Sequence, residues 1–169
     1  VGDSTILSTV EIVFEARQDH QWNVYPFLSS ESGNIDAEGE TFQADPGESV
    51  SLDVQVTNVG NLVDDLTLQT SVITSLQSGD SSTDWISSGS AISNLGVNET
   101  GVMSVDTFIP LDAWSGSSAE VTVTATAQGQ EITSFSFSVV SGHVPSWNAL
   151  IDQANLEVAT HGSEITLSV

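Results

Sequence analysis

Ser49-Val50-Ser51-Leu52-Asp53-Val54-Gln55-Val56-Thr57 decides the fold. Apolar residues at 50, 52, 54 and 56 alternate with polar ones at 51, 53, 55 and 57. A period of two sends successive side chains to opposite faces of an extended chain, so one face is apolar and the other wet. Working outward, the same period recurs. Val121, Val123, Ala125 and Ala127 alternate with Thr122, Thr124 and Thr126. Phe135, Phe137 and Val139 alternate with Ser134, Ser136 and Ser138. Leu66 with Leu68, and Met103 with Val105 and Ile109, carry weaker versions. The one helix candidate is the short stretch from Ser146 to Ala154, where Trp147, Leu150 and Ile151 share a face.

The breaks between these runs carry turn chemistry: Asp45-Pro46-Gly47, Asn58-Val59-Gly60-Asn61, Ser78-Gly79-Asp80 and Gly129. Gly60 is expected to supply a positive φ there. Seven strands result, near 41–44, 48–57, 62–70, 83–87, 101–109, 119–127 and 131–140. About seven short strands in roughly 100 residues, with a turn every 8–12, predict an all-β, two-sheet sandwich. Trp85 is expected to plug its core or one end.

The ends lie outside that sandwich. Val10, Ile12, Phe14 and Ala16 form an apolar strand face before it, and Ile165, Leu167 and Val169 another after it. Internal comparison accounts for both. Residues 44–54 match 159–169 at an offset of 115, set by Gly47 and Gly162. The strand ending at Ala16, with His20 and Trp22-Asn23 behind it, matches the strand ending at Val140, with His143 and Trp147-Asn148 behind it. That second offset, between Trp22 and Trp147, is 125, and an insertion around Ser29 to Gly39 absorbs the difference. The expected organisation is therefore serial. Residues 1–17 are a terminal strand of a preceding repeat or a donor strand, and 18–40 a linker. Residues 41–141 are the sandwich, 142–155 a second linker, and 156–169 the first strands of a following repeat or a donor strand.

Charge narrows the partners. Asp and Glu number 23 against one basic residue, Arg17, for a net charge of −22. Charged residues make up only 14% of the chain, against about 25% in an average protein. The acids are ordinary in number, and the bases are missing. The 27 Ser and 16 Thr supply the remaining polar surface. Lacking bases, the chain has no cationic surface to exchange for the counterions of nucleic acid or an anionic membrane, so neither is an expected partner. No stretch approaches the roughly 20 apolar residues that span a bilayer. No charged segment followed by an apolar run opens the sequence, so any export signal is expected to have been removed or to lie outside it. With no cysteine, disulfides, thiolate metal sites and cysteine nucleophiles are absent.

The central repeat resembles the immunoglobulin-like domains of bacterial and archaeal surface proteins, of the CARDB-like and galactosidase-associated kinds. The carrying residues are Pro46-Gly47-Glu48-Ser49-Val50, Val54 through Asn61, Asp84-Trp85, Ile109-Pro110-Leu111-Asp112-Ala113 and Val121-Thr122-Val123-Thr124-Ala125. The likeness covers about 100 of the 169 residues. It implies an immunoglobulin-like sandwich at the cell surface, and it departs from the pattern at the insertion and at the tryptophan-bearing linkers.

The candidate site residues each have a bland reading beside the functional one. His20, His143 and His161 fall in linkers or turns and lack the spacing of a metal motif. The acids Asp64-Asp65 and Asp80 with Asp84 offer oxygen ligands that suit Ca²⁺, without an EF-hand spacing. No other cofactor is implied. Asn98-Glu99-Thr100 is the single glycosylation sequon and precedes a strand. Trp22 and Trp147 are expected to bury at inter-domain joints. No nucleophile elbow, no carboxylate pair across a cleft and no phosphate loop is evident, so no enzyme is expected. The expected function is that of a structural module in an extracellular stalk, sheath or filament, with neighbouring copies or repeats as end-to-end partners. The alternative is an adhesin or carbohydrate-binding accessory module, with Trp114 stacking on a sugar.

Overall fold

The computed structural model describes residues 11–30 and 33–142. Ten strands run in chain order: β1 (Trp22–Ser30), β2 (Gly33–Asp36), β3 (Thr41–Ala44), β4 (Ser49–Asn58), β5 (Asp64–Ser75), β6 (Ile86–Gly89), β7 (Ala91–Leu95), β8 (Thr100–Phe108), β9 (Ser118–Ala127) and β10 (Gln130–Ser141). They form two five-stranded sheets, β2-β1-β4-β8-β6 and β3-β10-β9-β5-β7. No helix occurs among the described residues. Every pairing is antiparallel except β3 with β10.

The alternation read from the sequence becomes the core. Leu52, Val54, Val56 and Val105 face inward from the first sheet, and Leu66, Val121, Val123, Phe137 and Val139 from the second, each almost wholly buried. Burying one such side chain is worth about 1.5–3 kcal/mol against leaving it in water. Trp85 joins this cluster, as expected. All seven expected strands are present, with the fourth displaced to β6.

Residues 18–40, expected as a linker, instead contain two of the three additional strands. β1 pairs with β4 from Trp22 opposite Asn58 to Phe27 opposite Asp53, and β2 folds back on its far end. Pro26 argues against a strand in the sequence, because proline donates no ladder bond. In the fold its carbonyl accepts from the Ala37 amide on the side away from β4. Its missing N–H faces that same outer side and costs the β1–β4 ladder nothing. Of the insertion expected around Ser29 to Gly39, residues 29–30 and 33–36 lie in the paired parts of β1 and β2. The third addition, β7, continues β6 across the sandwich. The break falls at Gly89, where a side chain would overlap the backbone and Cβ of Leu68, so only glycine lets the chain change sheets there.

Of the flanking strand expected at 8–16, the described part (11–16) forms no strand, and Ile12, Val13 and Phe14 are 67%, 73% and 89% exposed. The following linker, the strand at 163–169 and the helix candidate at 146–154 lie outside the described residues, apart from Gly142.

Entry and exit fall at opposite poles. Trp22 starts β1 beside Asn58, at the end where β10 also starts, with Gln130. The chain leaves at Ser141, twelve residues along β10, or about 40 Å away at 3.3 Å per residue.

Among the described residues the one ion pair joins a histidine to an aspartate, so most of the 22 excess negative charges have no counterpart. Their repulsion opposes compaction and is screened over about 8–10 Å at physiological salt. The melting temperature, followed by circular dichroism, is expected to rise with NaCl.

Candidate functional site

The entry pole is built around Asn58, the last residue of β4. Its amide side chain is buried and fully used. Nδ2 donates to the carbonyls of Leu62 (2.8 Å) and Leu95 (2.9 Å), and Oδ1 accepts from the Gly60 amide (3.0 Å). Its backbone exchanges bonds with Glu99 and Asn98. Asn58 thus ties the β4–β5 corner to the end of β7 through its side chain and to the turn before β8 through its backbone.

Onto this corner the entry segment docks. The Val59 amide donates to the carbonyl of Gln21 (2.9 Å), and the Asn61 amide to that of Asp19 (3.1 Å). Asn61 Oδ1 accepts from the Asp19 amide (2.9 Å), and Nδ2 donates to the Arg17 carbonyl (2.7 Å). Gly60 does not take the expected positive φ. Its role is close approach: a Cβ there would overlap the Asp19 carbonyl and crowd the Gln21 amide.

His20 adds the electrostatic part. Its Nδ1 lies 2.6 Å from Asp64 Oδ2, while Asp64 Oδ1 accepts from Gln128 Nε2 (2.8 Å) and the Asp65 amide (2.9 Å). An ionised carboxylate only accepts, so Nδ1 carries the proton. Burial pushes the Asp64 carboxyl upward, but the bonds from Gln128, His20 and Asp65 outweigh it and leave its pKa lowered. His20 thus ties the entry segment to Asp64 of its own sandwich. Beside it, Arg17, Asn61, Gln130 and Ile132 line an open depression.

Trp22 is a correction. It is only 7% exposed and belongs to the core of its own sandwich, so it has little surface to offer an inter-domain joint. Trp147, His143 and His161 lie outside the described residues.

The calcium candidates do not converge. Asp64 and Asp65 are successive strand residues that point to opposite faces, the first buried and the second exposed. Asp65 accepts instead from the Asn94 amide. No three His, Asp or Glu side chains among the described residues gather as metal ligands. Millimolar Ca²⁺ is expected to raise the melting temperature no more than Mg²⁺ at matched ionic strength.

Asp80 organises the exit pole. Its Oδ1 accepts from the Ser82 amide (2.8 Å), and its Oδ2 from the Trp114 amide (3.1 Å) and the Ser117 hydroxyl. Desolvation works against ionisation, yet these bonds prevail and hold the carboxyl at about 2. A lowered folded pKa gives stability that is complete above the unfolded value, about 3.9, and is lost as pH falls toward 2. The wild type should therefore lose its advantage over Asp80→Asn between about pH 4 and pH 2, read from urea midpoints at each pH.

Trp114 stands over Gly79, 53% exposed. Asp84, Phe108, Pro110, Leu111 and Asp112 line a shallow depression at the same pole. Asn98 sits exposed in the turn at the entry pole, with φ 61°, where its side chain is open to modification.

The fold is an immunoglobulin-like β-sandwich. No family model and no curated protein matches the sequence. Among solved structures, a family 123 glycoside hydrolase from Clostridium perfringens, studied for glycolipid glycan hydrolysis, matches 73% of the chain at TM-score 0.56 and 12% identity. The chain spans only 28% of that protein, and the likeness bears on fold alone. More distant are the seventh PapD-like domain of human CEP192 (TM-score 0.46, 13% identity, 85% of this chain and 100% of that one) and CaCohA2 from Clostridium acetobutylicum (TM-score 0.35, 16% identity, 63% and 93%).

Proposed function

We propose that this chain is a structural module of an extracellular stalk, sheath or filament, in which immunoglobulin-like units of the CARDB-like kind follow one another end to end. The observation that carries the reading is the path of the chain, which enters at one pole, docked on the Asn58–Asn61 corner, and leaves at the other. A unit threaded this way transmits tension along its strands, and the docked segment sets a defined angle to whatever precedes it. The repeat of residues 44–54 at 159–169 supports a following unit of the same kind. Neither catalysis nor a nucleic-acid or membrane partner belongs to this function. Electron microscopy of the native assembly tests it. End-to-end units spaced by about one sandwich length are expected, and a lattice of side-by-side units would sink the idea.

The carbohydrate-binding alternative rests on Trp114 alone. Trp22 and Trp85 are buried, which leaves one exposed tryptophan among the described residues. A single ring stacks on one sugar and makes a weak platform.

A further inference from the structure

Each pole leaves large apolar side chains exposed. At the entry pole these are Val63 and Val97 (57% and 42%), on the same pole as Arg17, the only Lys or Arg of the chain, and the acids Asp19 and Glu99. At the exit pole, Leu111 and Trp114 are exposed (80% and 53%), beside Asp84 and Asp112. Large aliphatic and aromatic side chains left in water at both ends of a sandwich invite a covering partner.

We infer that the exit pole docks the entry pole of the next unit of the same kind, with Trp114 and Leu111 against the Val63–Val97 surface and Arg17 among the exit-pole carboxylates. The inference rests on the serial reading and adds its joint. The path of the chain selects this arrangement, since it leaves at the exit pole and the sequence of residues 44–54 recurs at 159–169. Arg17, which shares the entry depression with Asp19, is the one Lys or Arg that can meet the exit-pole acids Asp84 and Asp112. A contact between two different patches on opposite ends is heterologous, and repeating it gives an open chain of units and not a closed dimer. Tethering in one polypeptide supplies millimolar effective concentration, so each joint can be weak and still stay formed. Trp114 sits firmly enough to serve as an anchor, since its backbone amide is held by Asp80.

The absence of cysteine makes disulfide trapping clean. The full chain carrying Val63→Cys with Leu111→Cys is oxidised at millimolar concentration in moderate salt. A control chain carries Val102→Cys, which is 61% exposed on an outer sheet face, with the same Leu111→Cys. The pole-to-pole pair is expected to give a ladder of linked oligomers roughly tenfold faster than the control, as about 1.4 kcal/mol of docking preference would produce. Trp114→Ala should remove most of that advantage, and Arg17→Glu should lower it by about two- to fivefold, the range of an exposed ion pair. Neither change threatens the fold, because Trp114 is half exposed and its Asp80 bond uses the backbone. Equal rates in the two chains overturn the joint, and so does a ladder indifferent to Trp114→Ala. End-to-end units in the native assembly without this ladder would leave the serial reading standing and remove only the joint. Side-by-side units there would remove the serial reading itself.

Discussion

Asn58→Ala is expected to destabilise the domain by about 3–4 kcal/mol, among the largest effects of any single polar substitution in it. The loss is not of volume but of partners. The Leu62 and Leu95 carbonyls lose their donor and the Gly60 amide its acceptor. A buried polar group left unsatisfied costs about 1–3 kcal/mol, and Leu62 and Leu95 are only half-buried, so water recovers part of the sum. Asn58→Asp separates the two explanations. It keeps the size but turns the donor into an acceptor facing two carbonyl oxygens, near the buried Asp64, and should cost at least as much. Asn23→Ala, on the exposed side of β1, should stay within about 0.5 kcal/mol, as surface changes usually do. Urea midpoints with unchanged slope provide the measurement. A loss below about 1 kcal/mol for Asn58→Ala would mean that the corner is held by something else.

This corner and the core are legible in the sequence to different degrees. Val50 to Val56 and Val121 to Ala127 announce themselves because one face meets the core and the other meets water, which forces the period of two. β1 hides because Pro26 and Phe27 are buried in succession, the first closing an open edge and the second breaking the alternation. β2 is exposed at all four positions, so no apolar pattern exists to find. β7 offers only Ile92 and Leu95, half-buried. Trp22 begins a strand and is buried in its own sandwich, so the joint expected of the Trp22-Asn23 pair is not where this tryptophan serves. His20 and Asp64 lie 44 positions apart, and nothing local to either shows that β1 will bring them together. Gly60 reads as a turn glycine because sequence displays the residue and conceals the backbone pressed against it.

Gly60→Val is the second large effect, expected at about 2–4 kcal/mol, and it tests the docked entry segment directly. The new side chain cannot occupy the space of the Asp19 carbonyl, so residues 17–21 must leave the corner. With them go the Val59–Gln21 and Asn61–Asp19 backbone bonds, the two Asn61 side-chain bonds and the His20–Asp64 pair. Each hydrogen bond is worth about 0.5–1.5 kcal/mol net, and several are solvent-exposed, which keeps the total below their plain sum. His20→Ala removes only the last of these contacts and should cost about 1 kcal/mol or less, because Gln128 and the Asp65 amide still satisfy Asp64. Native-state hydrogen exchange locates the damage. In Gly60→Val the amides of Asp19, Val59 and Asn61 should lose protection, while those of β9 and β10 keep theirs until global unfolding. If the three amides stay protected in Gly60→Val, the close approach is not what holds the segment, and the angle proposed between successive units loses its structural basis.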